Sequence, residues 1–190
     1  MRPNRPSFAP NWFVAVPVPA EGWFEQMVTA PPEGVRRFHP EDIHMTVAFL
    51  GGVSEEEARA GWQALLWPVG AVTASLGAVV PMGAPHRYSA LSIELIDGRE
   101  ELEKAIAACR DAICDAAGAR RENRPANAHI TVARPTRRAG EAEREAGLRW
   151  AKRLDLRKQV VTLDSVALYT WADDRKTRQF KIVERIESTT

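Results

Sequence analysis

The chain has 190 residues, 45% of them hydrophobic, enough to bury a core in one domain or in two tightly packed lobes. Its 26 Lys and Arg against 25 Asp and Glu leave a net charge of +1, which gives the chain no global electrostatic pull toward nucleic acid or membrane. Any hold on phosphate has to be local.

Residues 1–11, with Arg2, Pro3, Arg5, Pro6 and Pro10, read as a loose lead-in and not as a signal peptide, because the following apolar run is short and broken by Pro17 and Pro19. A strand over 12–18 comes next, then a short helix at 20–30, a strand at 43–50, a helix at 55–67 and a strand at 71–82. Ser54 and Glu57 form a capping-box pattern at the start of the second helix. The stretch Ala60 to Pro85 carries no charge, but Pro68, Pro81, Pro85 and four glycines make it a helix end and a buried strand, not a membrane span. A cytoplasmic location is the expectation.

The second half repeats the order: strand 88–96, helix 99–117, strand 128–134, helix 141–154 and strand 159–171, with a last strand at 178–186. Leu102, Ala105, Ile106, Cys109 and Ile113 line one face of the long helix, and Gly118 ends it. Cys109 and Cys114 lie roughly 140° apart around that helix, which disfavours a disulfide, and neither has the neighbours of a zinc or redox site. The reading is one bilobal domain over 1–190 with approximate repeats at 12–82 and 88–171, of α+β class, each lobe contributing one central strand.

Those two central strands carry the chemistry. Ile43-His44-Met45-Thr46-Val47-Ala48 returns 85 residues later as Ala128-His129-Ile130-Thr131-Val132-Ala133. With four His and ten Thr in the chain, chance supplies only about 0.2 His-x-Thr triplets, so the duplicate marks function. Alternation puts His44 and Thr46 on one face, with Met45, Val47 and Phe49 on the other; His129 and Thr131 oppose Ile130 and Val132 in the same way. An imidazole and a hydroxyl thus stand side by side, twice.

The chain resembles the 2H phosphoesterases, and among them the bacterial RNA 2′,3′-cyclic phosphodiesterases, also called 2′-5′ RNA ligases, whose signature is a pair of His-x-Thr/Ser-x motifs. Trp12 to Pro19 looks like that family's first strand and Leu168-Tyr169-Thr170 like its late strand, whereas Asn11 and Phe180 stand where an arginine and a tyrosine are frequent. The resemblance implies two pseudo-symmetric lobes, each an antiparallel-rich sheet with flanking helices, around a central cleft where the motif strands face one another. It also implies hydrolysis of a 2′,3′-cyclic phosphodiester to a 2′-phosphomonoester, with His44 as proton donor and His129 as proton acceptor.

The residues by themselves are symmetric and do not assign acid and base. In-line displacement needs a base for the attacking water and an acid for the departing ribose oxygen, and two imidazoles serve both roles near neutral pH without a metal or other cofactor. Thr46 and Thr131 are candidate donors to the phosphate oxygens. Arg36 and Arg37 precede the first motif, and Arg120, Arg121, Arg124, Arg134, Arg137 and Arg138 surround the second. Arg134 is the strongest candidate for phosphate, although simple alternation turns it away from Thr131 unless the strand bends. Phe13, Tyr88, Tyr169 and Trp171 lie on predicted strands, with Phe13 and Tyr169 the candidates for stacking a base; His39 and His86 read as surface residues. The expected partner is an RNA bearing a 2′,3′-cyclic phosphate end, or a cyclic nucleotide, bound by a monomer with no membrane contact. The alternatives are 2′-5′ ligation at the same site, a non-catalytic RNA or nucleotide binder, and a two-His metal hydrolase, which lacks the third ligand such sites use.

Overall fold

The computed structural model describes residues 9–188, so the lead-in lies outside the described residues as far as residue 8. Nine strands and four helices follow in order: β1 (Trp12–Pro17), α1 (Phe24–Met27), β2 (Val35–Arg37), β3 (His44–Gly51), α2 (Glu55–Gln63), β4 (Val72–Met82), β5 (Ala90–Leu95), α3 (Arg99–Ala116), β6 (His129–Pro135), α4 (Glu141–Arg153), β7 (Val160–Leu163), β8 (Ser165–Trp171) and β9 (Phe180–Glu187). They form an α+β fold with two antiparallel sheets, ordered β3-β1-β8-β9 and β2-β6-β5-β4-β7.

The two orders correspond strand for strand once β2 is set aside, since each runs from a motif strand through the first strand of its half. The third strand of each half crosses over: β4 pairs with β5 of the second half, and β8 pairs with β1 of the first. Neither half makes its sheet alone. The strand expected over 159–171 is divided at Asp164, so that β7 pairs with β4 in one sheet while β8 enters the other. β2 is an addition to the expected elements, because three residues carry no period; it is held by pairing with β6.

Helix boundaries follow local chemistry. The box between Ser54 and Glu57 is formed in both directions. α2 stops at Gln63 and not at 67, consistent with Pro68 disfavouring helical backbone just before it. α1 is one turn long, confined between the Gly22 turn and Pro31-Pro32. α3 ends in a Schellman motif, with Gly118 at positive φ, its N–H bonded to the Asp115 carbonyl and the Ala119 N–H to that of Cys114. Cys109 and Cys114 are free and buried, and desolvation pushes the Cys109 thiol up to about 11.

One large core joins the sheets to the helices through Trp12, Val14, Val16, Met45, Val47, Leu91, Ile93, Ile130 and Val132. On the other face of the first sheet Phe13, Ala15, Ala167 and Tyr169 make a small separate cluster, against which Phe180 packs. That second face holds the first motif.

Candidate active site

The motif strands β3 and β6 belong to different sheets and contact one another. His44 Nδ1 lies 2.6 Å from the Asp42 carbonyl oxygen, and His129 Nδ1 lies 2.7 Å from that of Asn127. A carbonyl only accepts, so each Nδ1 carries the proton and each neutral ring keeps Nε2 as its free acceptor. Both histidines are therefore locked in the same tautomer by the backbone two residues upstream. The duplicated unit is Asx-x-His-x-Thr, a wider signal than the His-x-Thr pair, and a comparison of the shorter pair alone passes over Asp42 and Asn127.

Both motif strands slip register at the same place. In β3, Ala15 faces Thr46 while Val14 faces Ala48, leaving Val47 without a partner; in β6, Ser92 faces Thr131 while Leu91 faces Ala133, leaving Val132 unpaired. Each is a bulge of one residue, which reverses the face of everything that follows. Phe49, expected on the core side, accordingly stands opposite Phe13 and is 58% exposed. Arg134 is turned by the same device onto the face of Thr131 and His129. The two are equivalent positions, five residues after their histidines.

The surroundings of the two histidines differ. His44 is buried, its ring 4.8 Å from Phe13, 5.5 Å from Tyr169 and 5.5 Å edge-on to Phe180. Phe13 and Tyr169 stack on each other at 5.0 Å and are both nearly fully buried, so their rings wall His44. Desolvation lowers the His44 pKa to about 4, against the raising effect of the Asp42 hydrogen bond and with further lowering by the charges of Arg134 and His129. His129 itself is only partly buried, and the Thr131 hydroxyl lies 3.0 Å from that of Ser92, which is fully buried. Thr46 shares the face of Ala15, which offers no hydroxyl.

Asp42 supports the first motif twice. Its carbonyl holds His44, and its buried carboxylate accepts the N–H groups of Gln179 at 2.7 Å and Phe180 at 3.0 Å, fixing the start of β9 and the Phe180 ring against His44. Burial raises its pKa, opposed by those two N–H groups.

The basic residues sort by partner. Arg37 donates to the Val28 carbonyl and lies 5.5 Å over the Phe24 ring, away from the site. Arg121 pairs with Asp115 and Asp111, and Arg124 with Glu122. Arg134 lies 5.6 Å over the Phe38 ring, its pKa lowered by desolvation and by Arg36. Tyr88 is a packing residue whose hydroxyl donates to the Arg144 carbonyl. His39 accepts the Glu41 N–H and His86 is exposed in a turn. Among the described residues no three His, Cys, Asp or Glu side chains gather as a metal-binding group, and no helix is long and apolar enough to cross a membrane.

No family model and no curated protein sequence matches the chain. Solved structures do. LigT of E. coli, crystallised with 3′-AMP, superposes with a TM-score of 0.68 at 21% identity over 95% of this chain and 99% of that one. A structure described as a phosphoesterase gives 0.65 at 21% identity over 96% and 99%, and the protein TT0787 of Thermus thermophilus gives 0.64 at 19% over 94% and 97%. The chain has the LigT fold across nearly its whole length.

Proposed function

We propose that the protein is a metal-independent phosphodiesterase of the 2H type that opens RNA or nucleotide 2′,3′-cyclic phosphates to 2′-phosphomonoesters in the cytoplasm. The observation that carries this reading is the matched pair of histidines, each tautomerically fixed with Nε2 free, each beside a threonine, on contacting strands of opposite sheets. LigT structures with 3′-AMP, NADP+ and ATP show that protein binding phosphate-bearing nucleotides, and another shows it with phosphate, which supports the same ligand class here.

In the proposed reaction His129 Nε2 takes a proton from water as the water oxygen bonds to phosphorus. His44 delivers its Nε2 proton to the ribose 3′ oxygen as the phosphorus–oxygen bond breaks. Thr46, Thr131 and Arg134 hold the non-bridging oxygens. A proton donor with a pKa near 4 is mostly neutral in the empty site at neutral pH. The substrate itself remedies this, because an anion about 4 Å away in a medium of effective dielectric about 20 favours the imidazolium by about 4 kcal/mol, or roughly three pKa units. His44 is thereby charged by the phosphate it is to serve.

The test is turnover of a 2′,3′-cyclic nucleotide by the full chain in excess chelator. Activity that persists there and disappears in His44→Gln and His129→Gln supports the reading; activity abolished by chelator and restored by zinc or manganese refutes the metal-free mechanism. A 3′-phosphate product would leave the two-histidine chemistry and refute the assigned leaving oxygen.

A further inference from the structure

The edge strand β2 places Arg36 directly opposite Arg134 in the β2–β6 register. Cross-strand partners share a face, so the two guanidinium groups stand together on the side of Thr131 and His129, where like charges oppose each other and destabilise the pair of strands. Neither forms an ion pair with a carboxylate among the described residues, in a chain where Arg59, Arg99, Arg121, Arg124, Arg157 and Arg178 all do. Arg36 donates instead to the neutral Gln179 side-chain oxygen at 3.3 Å. The same oxygen accepts Arg175 at 3.2 Å, and Arg175 is stacked 4.1 Å over the Trp171 ring. Two arginines, from β2 and the β8–β9 loop, thus share one amide oxygen, and the first of them stands opposite Arg134, the candidate ligand of the scissile phosphate.

We propose that Arg36 and Arg175 form a second phosphate subsite next to the scissile group, so that the preferred substrate carries a further phosphate: an internal phosphodiester of a strand or the 5′-phosphate of the same nucleotide. The proposal rests on the two-histidine reading for the position of the scissile phosphate. Arg134 sits between the two anions, and Arg36 and Arg175 extend its charge outward. Planar guanidinium groups suit this role because each presents a fork of donors to phosphate oxygens. The unfavourable opposition of Arg36 and Arg134 in the empty protein is relieved when an anion lies across both. Gln179 keeps the two outer arginines in place without neutralising them, and Asp42 anchors Gln179 through its backbone N–H.

Calorimetry with the full chain compares a nucleoside 3′-monophosphate with the corresponding 3′,5′-bisphosphate. The bisphosphate is expected to bind tighter by on the order of 10-fold, and Arg36→Gln and Arg175→Gln each bring that ratio toward one. Equal affinity of the wild type for both ligands, or variants that weaken both by the same factor, overturns the subsite. Removing one of two opposed charges is also expected to raise the Tm of Arg36→Gln; a lowered Tm together with parallel loss of both ligands makes Arg36 a structural residue and overturns its assignment. Turnover separates the sources. A 2′,3′-cyclic mononucleotide with and without a 5′-phosphate and a dinucleotide ending in a cyclic phosphate show whether the extra phosphate is terminal or internal. A wild type that keeps the bisphosphate preference but turns over none of the three retires the catalytic reading and leaves the subsite standing.

Discussion

The β3 and β6 sides of the cleft have the same backbone and different chemistry. Each supplies a histidine held by a carbonyl two residues upstream, a threonine two residues on, and a bulge immediately after it. On the β3 side the neighbours are Phe13, Tyr169 and Phe180, with Ala15 opposite Thr46; on the β6 side they are Ser92 opposite Thr131, then Arg134 and Arg36. Strand geometry fixes where an imidazole points, and the surrounding side chains fix how strongly it holds a proton. A repeated motif can therefore become an acid and a base without any change in the motif.

Removing either histidine is expected to have the largest effect, a fall in turnover of on the order of 10²-fold to 10⁴-fold for His44→Gln and for His129→Gln. The residual pH dependence sharpens the comparison. If His44 is the donor, the His129→Gln rate falls as pH rises through the His44 pKa; if His44 is the acceptor, it falls as pH decreases. Initial rates of the single variants across pH 4 to 9 decide the assignment, because in the wild type an acid and a base acting together give a bell-shaped profile whose two limbs belong to the coupled pair.

The dry side also sets acid stability. An unfolded chain protonates this histidine near pH 6.5, while the folded one does so only near 4. Between those values the unfolded state binds more protons, so stability falls as pH falls, by up to about 3 kcal/mol from this group. In His44→Gln the loss of stability between pH 6.5 and pH 4, followed by urea unfolding, is expected to be smaller by about that amount. An unchanged acid limb would mean that the cage does not hold His44 neutral.

Much of this is legible in the sequence, and the illegible parts have common causes. The faces of His44, Thr46, His129 and Thr131 follow from a period of two, as do the apolar stripe of α3 from a helical period and the capping box of α2 from its spacing. The bulges do not show, because Val47-Ala48 and Val132-Ala133 are all apolar and a phase slip within them leaves no polar marker. Strict alternation puts Phe49 on the wrong face for that reason, and the bend that Arg134 requires is this same slip. β2 is too short and too charged to show a period. The exchange of β4 and β8 between the sheets is a matter of pairing between distant segments, on which local composition is silent.

The threonines come next in size. Thr46→Val and Thr131→Val each remove a candidate donor to developing charge, a loss of roughly 3 kcal/mol where such a donor is well placed, with binding of a product nucleotide weakened less than kcat/KM. Thr131→Val is expected to be the less stable of the two in thermal unfolding, because it leaves the buried Ser92 hydroxyl without its 3.0 Å partner, at about 1 to 3 kcal/mol. Thr46 has Ala15 opposite it and orphans nothing. Equal stability of the two variants would remove Ser92 from the account.

The smallest effect is expected from making the polar side resemble the dry one. Ser92→Ala gives Thr131 the same cross-strand neighbour that Thr46 has in Ala15, without touching any group proposed to meet the substrate. Serine and alanine differ by one oxygen, so the strand register and the core behind it are retained, and only the hydroxyl that orients Thr131 is lost. The lost hydrogen bond is worth about 1 kcal/mol, which corresponds to a drop of about fivefold in kcat/KM if Ser92 serves to aim the Thr131 proton at phosphate. Thr131→Val in the Ser92→Ala background separates orientation from packing. When the threonine hydroxyl is already absent, removing the serine hydroxyl is expected to leave kcat/KM unchanged and to recover stability, because a buried unpaired hydroxyl has been taken away. A further fall in kcat/KM in the double variant would instead place Ser92 in contact with the substrate.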